Sequence, residues 1–147
     1  MKFSDIEEAQ WPELKPYLDT ILLPITGLSG VEEPWEATRG LEELRDLIDA
    51  SEGQFRGRIV VYPAYHYISE SRFEEEMKAI SGHLRAQGFA YMIMAVRGEA
   101  SLHNENNYCD LLLSYSDYEG MNNTEMKKDV QGKIVSLWQS KPTSSNM

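Results

Sequence analysis

From Phe89 to Val96 the chain runs through eight consecutive apolar residues, FAYMIMAV, directly after Gly88. Side chains on a strand alternate between its two faces, so a strand that is apolar at every position needs cover on both. The run is far too short to cross a bilayer. It therefore demands a three-layer protein, with this strand at the centre of a sheet and helices above and below it.

The rest of the chain supplies those layers. Two shorter runs have the same character: Asp19–Ile25, which ends at Pro24 and Ile25, and Arg58–Tyr62, stopped by Pro63. A fourth strand is expected over Tyr108–Tyr115, around Leu111, Leu112 and Leu113. Pro24 is expected to end ladder pairing near the close of the first strand. Between the strands lie helical patterns. Over Pro34–Ala50, Leu41, Leu44, Leu47 and Ile48 share one face. Ser71 and Glu74 have the spacing of a capping box, followed by an apolar stripe of Phe73, Met77, Ile80 and Leu84, with Gly88 as a left-handed cap. Asn122 or Thr124 caps a last helix carrying Met126, Val130, Ile134, Leu137 and Trp138. Near the N-terminus, Ser4 and Glu7 suggest a short capped helix, and Pro12 starts a further turn that Pro16 limits.

This order of elements predicts an α/β fold: a three-layer, open, mainly parallel four-stranded sheet with helices on both faces. The fourth strand is expected to be parallel, with an antiparallel edge as the alternative, because the loop before it is short for a crossover. Residues 1–140 are expected to form one domain and residues 141–147 a flexible tail.

Charge narrows the partners. The 147 residues hold 14 Lys and Arg against 24 Asp and Glu, a net charge of −10. The imbalance sits in residues 1–80, with 17 acids and 8 bases; residues 81–147 hold 7 and 6. So acidic a chain repels phosphate backbones and anionic lipid surfaces, which argues against nucleic-acid binding and a polybasic membrane role, and the apolar runs are too short for membrane insertion. The single cysteine, Cys109, fits a reducing compartment, and no apolar leader opens the chain, so a cytoplasmic location is expected. Cys109 stands beside Asp110, which disfavours a thiolate and a nucleophilic role.

In an open parallel sheet, ligands bind beyond the carboxyl ends of the strands. The sequence places Thr26, Ser29, Glu32 and Glu33 after the first strand and Tyr65, His66 and Tyr67 after the second. Arg97, Glu99 and His103 follow the third, and Ser116, Asp117 and Glu119 the fourth. His66, His103, Glu99 and Asp117 would offer nitrogen and oxygen donors, but no two histidines or cysteines have metal-ligand spacing, so no metal is expected. Phosphate-binding glycine loops and the Gly-x-Ser-x-Gly elbow are absent from the sequence, and no cofactor is expected.

Residues 1–140, through Asp19-Thr-Ile-Leu-Leu-Pro-Ile25, Arg58-Ile-Val-Val-Tyr-Pro-Ala64 and the strand ending at Val96, resemble the YpiF family of small proteins from Bacillus and related bacteria. That resemblance implies a cytoplasmic bacterial protein and brings no activity. More distantly, the order of elements is similar to the first half of the creatinine amidohydrolase-like fold. Leu23-Pro24-Ile-Thr-Gly27 matches its first turn and Gln87-Gly88-Phe89 its helix-to-strand junction. The metal motifs of that fold are missing. Gly30-Val-Glu-Glu-Pro34 stands near the position of its Glu-Gln-His-Gly, Glu99 replaces a metal-binding histidine, and Arg39 follows Thr38 where an aspartate is expected. The resemblance thus implies a scaffold and crevice without the two-metal chemistry.

Two functions follow as expectations. One is a non-enzymatic binding or interaction module, with a protein partner or a second copy of the chain. The other is a small-molecule binder or hydrolase-like enzyme whose crevice, lined by Arg97, Glu99, His66, His103 and Arg39, takes an anionic group. Arg97 and Glu99 are expected to point into that crevice, with Gly98 between them free to adopt a positive φ.

Overall fold

The computed structural model describes residues 1–67, 70–98 and 108–140. Four strands, β1 (Thr20–Ile25), β2 (Ile59–Val61), β3 (Tyr91–Val96) and β4 (Leu111–Ser114), form one sheet in the order β2-β1-β3-β4. All three pairings are parallel. The fourth strand begins at Leu111 rather than Tyr108, so residues 97–110 connect it to β3, a length that a parallel crossover can use.

Helices α2 (Pro34–Glu52) and α4 (Asn123–Gln139) cover one face, and α3 (Glu70–Arg85) with the N-terminal segment covers the other. The strands alternate as a doubly covered sheet requires. Leu22, Ile59, Val61, Ile93, Ala95 and Leu113 pack under α2 and α4. Ile21, Leu23, Val60, Met92, Met94 and Val96 pack under α3. All six residues of β1 and all six of β3 are buried. Each large apolar side chain so buried is worth about 1.5–3 kcal/mol against exposure.

Pro24 does not stop the ladder. It pairs with Ala95 of β3, and β1 continues to Ile25 opposite Val96. The reason is its direction. The carbonyl of Pro24 accepts from the Tyr65 amide on the β2 side, so the missing N–H also lies on that side, where β2 has already ended. The β1–β3 ladder loses no donor.

Other local features follow their residues with adjustments. Gly88 has φ +100 and closes α3, and the Asn122 side chain accepts from the Glu125 amide to cap α4. Ser71 lies inside α3, which begins at Glu70, so it is not the cap. The segment after Lys2 is a 3-10 turn, Phe3–Asp5, rather than a helix capped by Ser4, and α1 is one turn, Trp11–Leu14. On α2 the buried stripe runs through Gly40, Leu44, Leu47 and Ser51, while Leu41 is exposed. Leu41 thus falls outside the stripe expected from spacing, and Gly40 begins it.

The amino-terminal edge of the sheet is tied by charge. Arg58 grips Asp19 with two hydrogen bonds, at 2.9 and 3.1 Å, and its guanidinium stacks 4.0 Å from the Trp138 ring. The Trp138 indole donates to the Thr20 hydroxyl at 2.9 Å. Asp110, just before β4, accepts from Arg85 at 3.1 Å and from the Met92 amide at 2.9 Å. The Met1 ammonium lies 2.7 Å from the buried Glu52 carboxylate and donates to the Ile59 carbonyl.

Candidate functional site: the carboxyl edge between the first and third strands

The chain leaves β1 for β2 on one side and reaches β3 on the other, so β1 and β3 flank the point where the connections diverge. That divergence opens the crevice in which open parallel sheets hold ligands. Here it is occupied by groups of the chain itself. Arg97, the first residue after β3, reaches across to the Thr26 carbonyl at the end of β1, 3.1 Å away. Its guanidinium lies flat against Gly40 of α2. A Cβ on Gly40 would sit 2.4–2.7 Å from three guanidinium atoms, which only glycine avoids. Gly27, with φ +73, turns the chain beside it. Glu43, one helical turn beyond Gly40, comes within 3.9 Å of Arg97 Nε, and that nitrogen is buried without a hydrogen-bond partner.

The loop from β1 to α2 is closed on itself. Ser29 donates its amide (2.8 Å) and hydroxyl (3.1 Å) to one oxygen of Glu32, and the Gly30 amide donates to the other at 2.9 Å. These donors hold the Glu32 carboxyl down to about 2. Consecutive backbone amides of this kind form the usual cradle for a ligand anion, and here a side-chain carboxylate fills it. The start of α2 is also held from within: the Glu33 amide donates to the Glu36 carboxylate at 2.8 Å. Beside this loop, Val31 is 84% and Trp35 64% exposed.

At the other side of β3, the Gly98 carbonyl accepts from the hydroxyls of Ser114 and Ser116, and the Ser116 amide donates to the Arg97 carbonyl at 3.2 Å. Gly98 does not take a positive φ, contrary to expectation; its carbonyl is fixed by β4 instead. After β2, Tyr65 is locked on three sides. Its carbonyl takes the Thr26 amide, its amide serves Pro24, and its phenol donates to Glu76 at 2.7 Å, which holds the proton on the tyrosine.

Of the five residues expected to line the crevice, three are described. Arg97 reaches across it to the Thr26 carbonyl. Arg39 and His66 are exposed, and the His66 ring lies 5.9 Å from that of Tyr67. Glu99 and His103 lie outside the described residues. Among the described residues, no three His, Cys, Asp or Glu side chains group closely enough to hold a metal ion. Burial, then Asp110, pushes the Cys109 thiol up to about 11, so it is a poor nucleophile. Sequence reasoning missed Gly40, whose place inside a helix, at a cost of about 1 kcal/mol against alanine, was the signal that something packs on it. It also missed Glu43 and the closure of Glu32 on its own loop.

A four-stranded parallel sheet in this order, with helices on both faces, defines a doubly wound α/β domain. Within that class the chain belongs to a family described as protein of unknown function, DUF2487, whose model matches residues 9–140. No curated protein and no solved structure matches it. No helix among the described residues is long and apolar enough to cross a membrane.

Proposed function

We propose that this protein is a non-enzymatic, cytoplasmic interaction module of the YpiF kind, on a degenerate creatininase-like scaffold, that binds a basic protein partner at the carboxyl edge of its sheet. The observation that carries this reading is that Arg97 occupies the crevice and Glu32 fills the amide cradle of the adjoining loop, beside a tryptophan left exposed on the same edge. An exposed tryptophan is a common anchor of protein interfaces. Glu32, Glu33 and Glu36 around Trp35 suit a partner rich in Lys and Arg. Selection of a random peptide library on the wild-type protein tests it. Enrichment of basic peptides that is lost with Trp35→Ala, and falls with added salt, supports the reading. Selection that ignores Trp35, or measured turnover of a small molecule, overturns it.

A second reading, an anion held at Arg97, has one observation behind it: the Nε donor of Arg97 has no hydrogen-bond partner. Arg39, His66, Glu99 and His103 would complete its lining. Thermal-shift screening of phosphates and carboxylates decides it. A ligand at 100 times its dissociation constant adds about 2.7 kcal/mol of stability, and Arg97→Ala must abolish the gain.

A further inference from the structure

A second concave surface lies away from the strand divergence. It is a groove of about 500 Å³ between the N-terminal segment and the β2 side of the sheet, lined in part by Phe3, Glu7, Glu8, Trp11, Tyr62 and Gln87. That volume falls in the range of small-molecule sites. We propose that this groove binds a small organic cation with an apolar shell, of the quaternary or alkylated ammonium class.

The walls are aromatic and held in place. Phe3 and Tyr62 meet at 4.7 Å with their planes at 60°, forming two sides of a corner. Tyr62 is braced from behind by an edge contact with Phe89 at 5.9 Å. Phe3 is positioned because Lys2 bridges to Val61, which lays the N-terminal segment along β2. Ring faces attract a cation, most strongly one that sheds little water on entering.

The rim is acidic and uncompensated. Glu7 and Glu8 are exposed, and neither forms an ion pair among the described residues. The neighbouring cation, Lys2, is turned to the far side, where its ammonium lies 3.3 Å from Asp49 and 3.9 Å from Glu52. No Lys or Arg lines the groove. An anion is therefore repelled, and a neutral molecule gains apolar burial alone. A hard inorganic cation requires a cage of oxygen ligands, which aromatic walls do not supply. A cation with methyl or methylene groups around its charge gains from both walls and rim.

Choline and its neutral carbon isostere, 3,3-dimethylbutan-1-ol, separate charge from shape. In an NMR titration of the whole protein, choline is expected to shift the Trp11 indole signal saturably in the millimolar range. The alcohol should bind roughly tenfold more weakly. Replacing both rim acids, Glu7→Gln with Glu8→Gln, should weaken choline several-fold and leave the alcohol unchanged. Trp11→Leu should abolish the choline shifts of the Phe3 and Tyr62 backbone amides, which also line the groove, and Trp35→Ala should not alter them. Failure of choline to saturate, equal binding of the alcohol, or indifference to the rim acids overturns the proposal. The rim variants carry the test even if Trp11→Leu disturbs folding, because both acids are exposed.

Discussion

Arg58 and Arg97 stand at opposite ends of the same sheet and are used differently. Arg58, at the amino-terminal edge, has a bidentate carboxylate and an aromatic face. Arg97, at the carboxyl edge, has one backbone carbonyl, a glycine to lie on, a carboxylate 3.9 Å away and a buried nitrogen left unpaired. The first edge repeats its solution: Asp19 before β1 and Asp110 before β4 each hold an arginine. Each edge also buries one guanidinium nitrogen without a hydrogen-bond partner, Arg85 Nη1 at the first and Arg97 Nε at the second. The comparison teaches that the edges differ in their carboxylates: the first holds its arginines on carboxylates at 2.9 and 3.1 Å, and the second leaves the carboxylate 3.9 Å from its arginine.

Removing the most buried of these acids should cost most. The Asp110 side chain is only 6% exposed and serves both Arg85 and the Met92 amide. Asp110→Ala strands a buried charge and a buried amide, and urea unfolding should show a loss of about 3 kcal/mol. Asp110→Asn, which keeps an acceptor, should lose less. Arg58→Ala comes next, at about 2 kcal/mol, because its pair with Asp19 is partly exposed and screened, while its stacking on Trp138 is also lost. If Arg58→Ala and Arg97→Ala cost the same, the contrast between the edges fails.

Arg97→Ala should cost about 1 kcal/mol, the worth of one hydrogen bond. Gly40 sharpens this. In the Arg97→Ala background, Gly40→Ala should stabilise α2 by about 1 kcal/mol through helix propensity. In the wild type the new Cβ displaces the guanidinium, and the gain should vanish. A double-mutant cycle that finds the two changes additive would show that Arg97 does not rest on Gly40 in solution.

The smallest effect concerns Glu32. Its carboxyl is held down, to about 2, by the Ser29 amide first and the other loop donors after it. A depressed carboxyl contributes stability that is present above its ordinary value and lost as the pH falls through the folded one. The loop should therefore keep its closed form down to pH 4.5 and open between there and about 2. The Ser29 and Gly30 amide signals should report this by NMR. Titration of Glu32 near its ordinary value would show that the carboxylate does not fill the amide cradle.

Much of this was legible in the sequence, and much was not. The apolar runs of β1 and β3 determined a doubly covered sheet, because alternation leaves no face for water. Gly88 and Asn122 marked helix ends through local backbone geometry and capping. Arg97 could be placed at the carboxyl edge because it directly follows the central strand. Only the tertiary structure decided that Pro24 leaves the ladder intact, since which neighbour a strand's N–H faces depends on sheet order. It alone showed why a glycine sits at position 40, because the guanidinium that needs the space comes from a residue just past a strand, 57 positions away in the chain. It left His66 and Arg39 exposed, because proximity to a strand end does not set which way a side chain faces. Strand patterns are local and survive in one dimension; a site is a convergence of distant residues, and that is a property of packing.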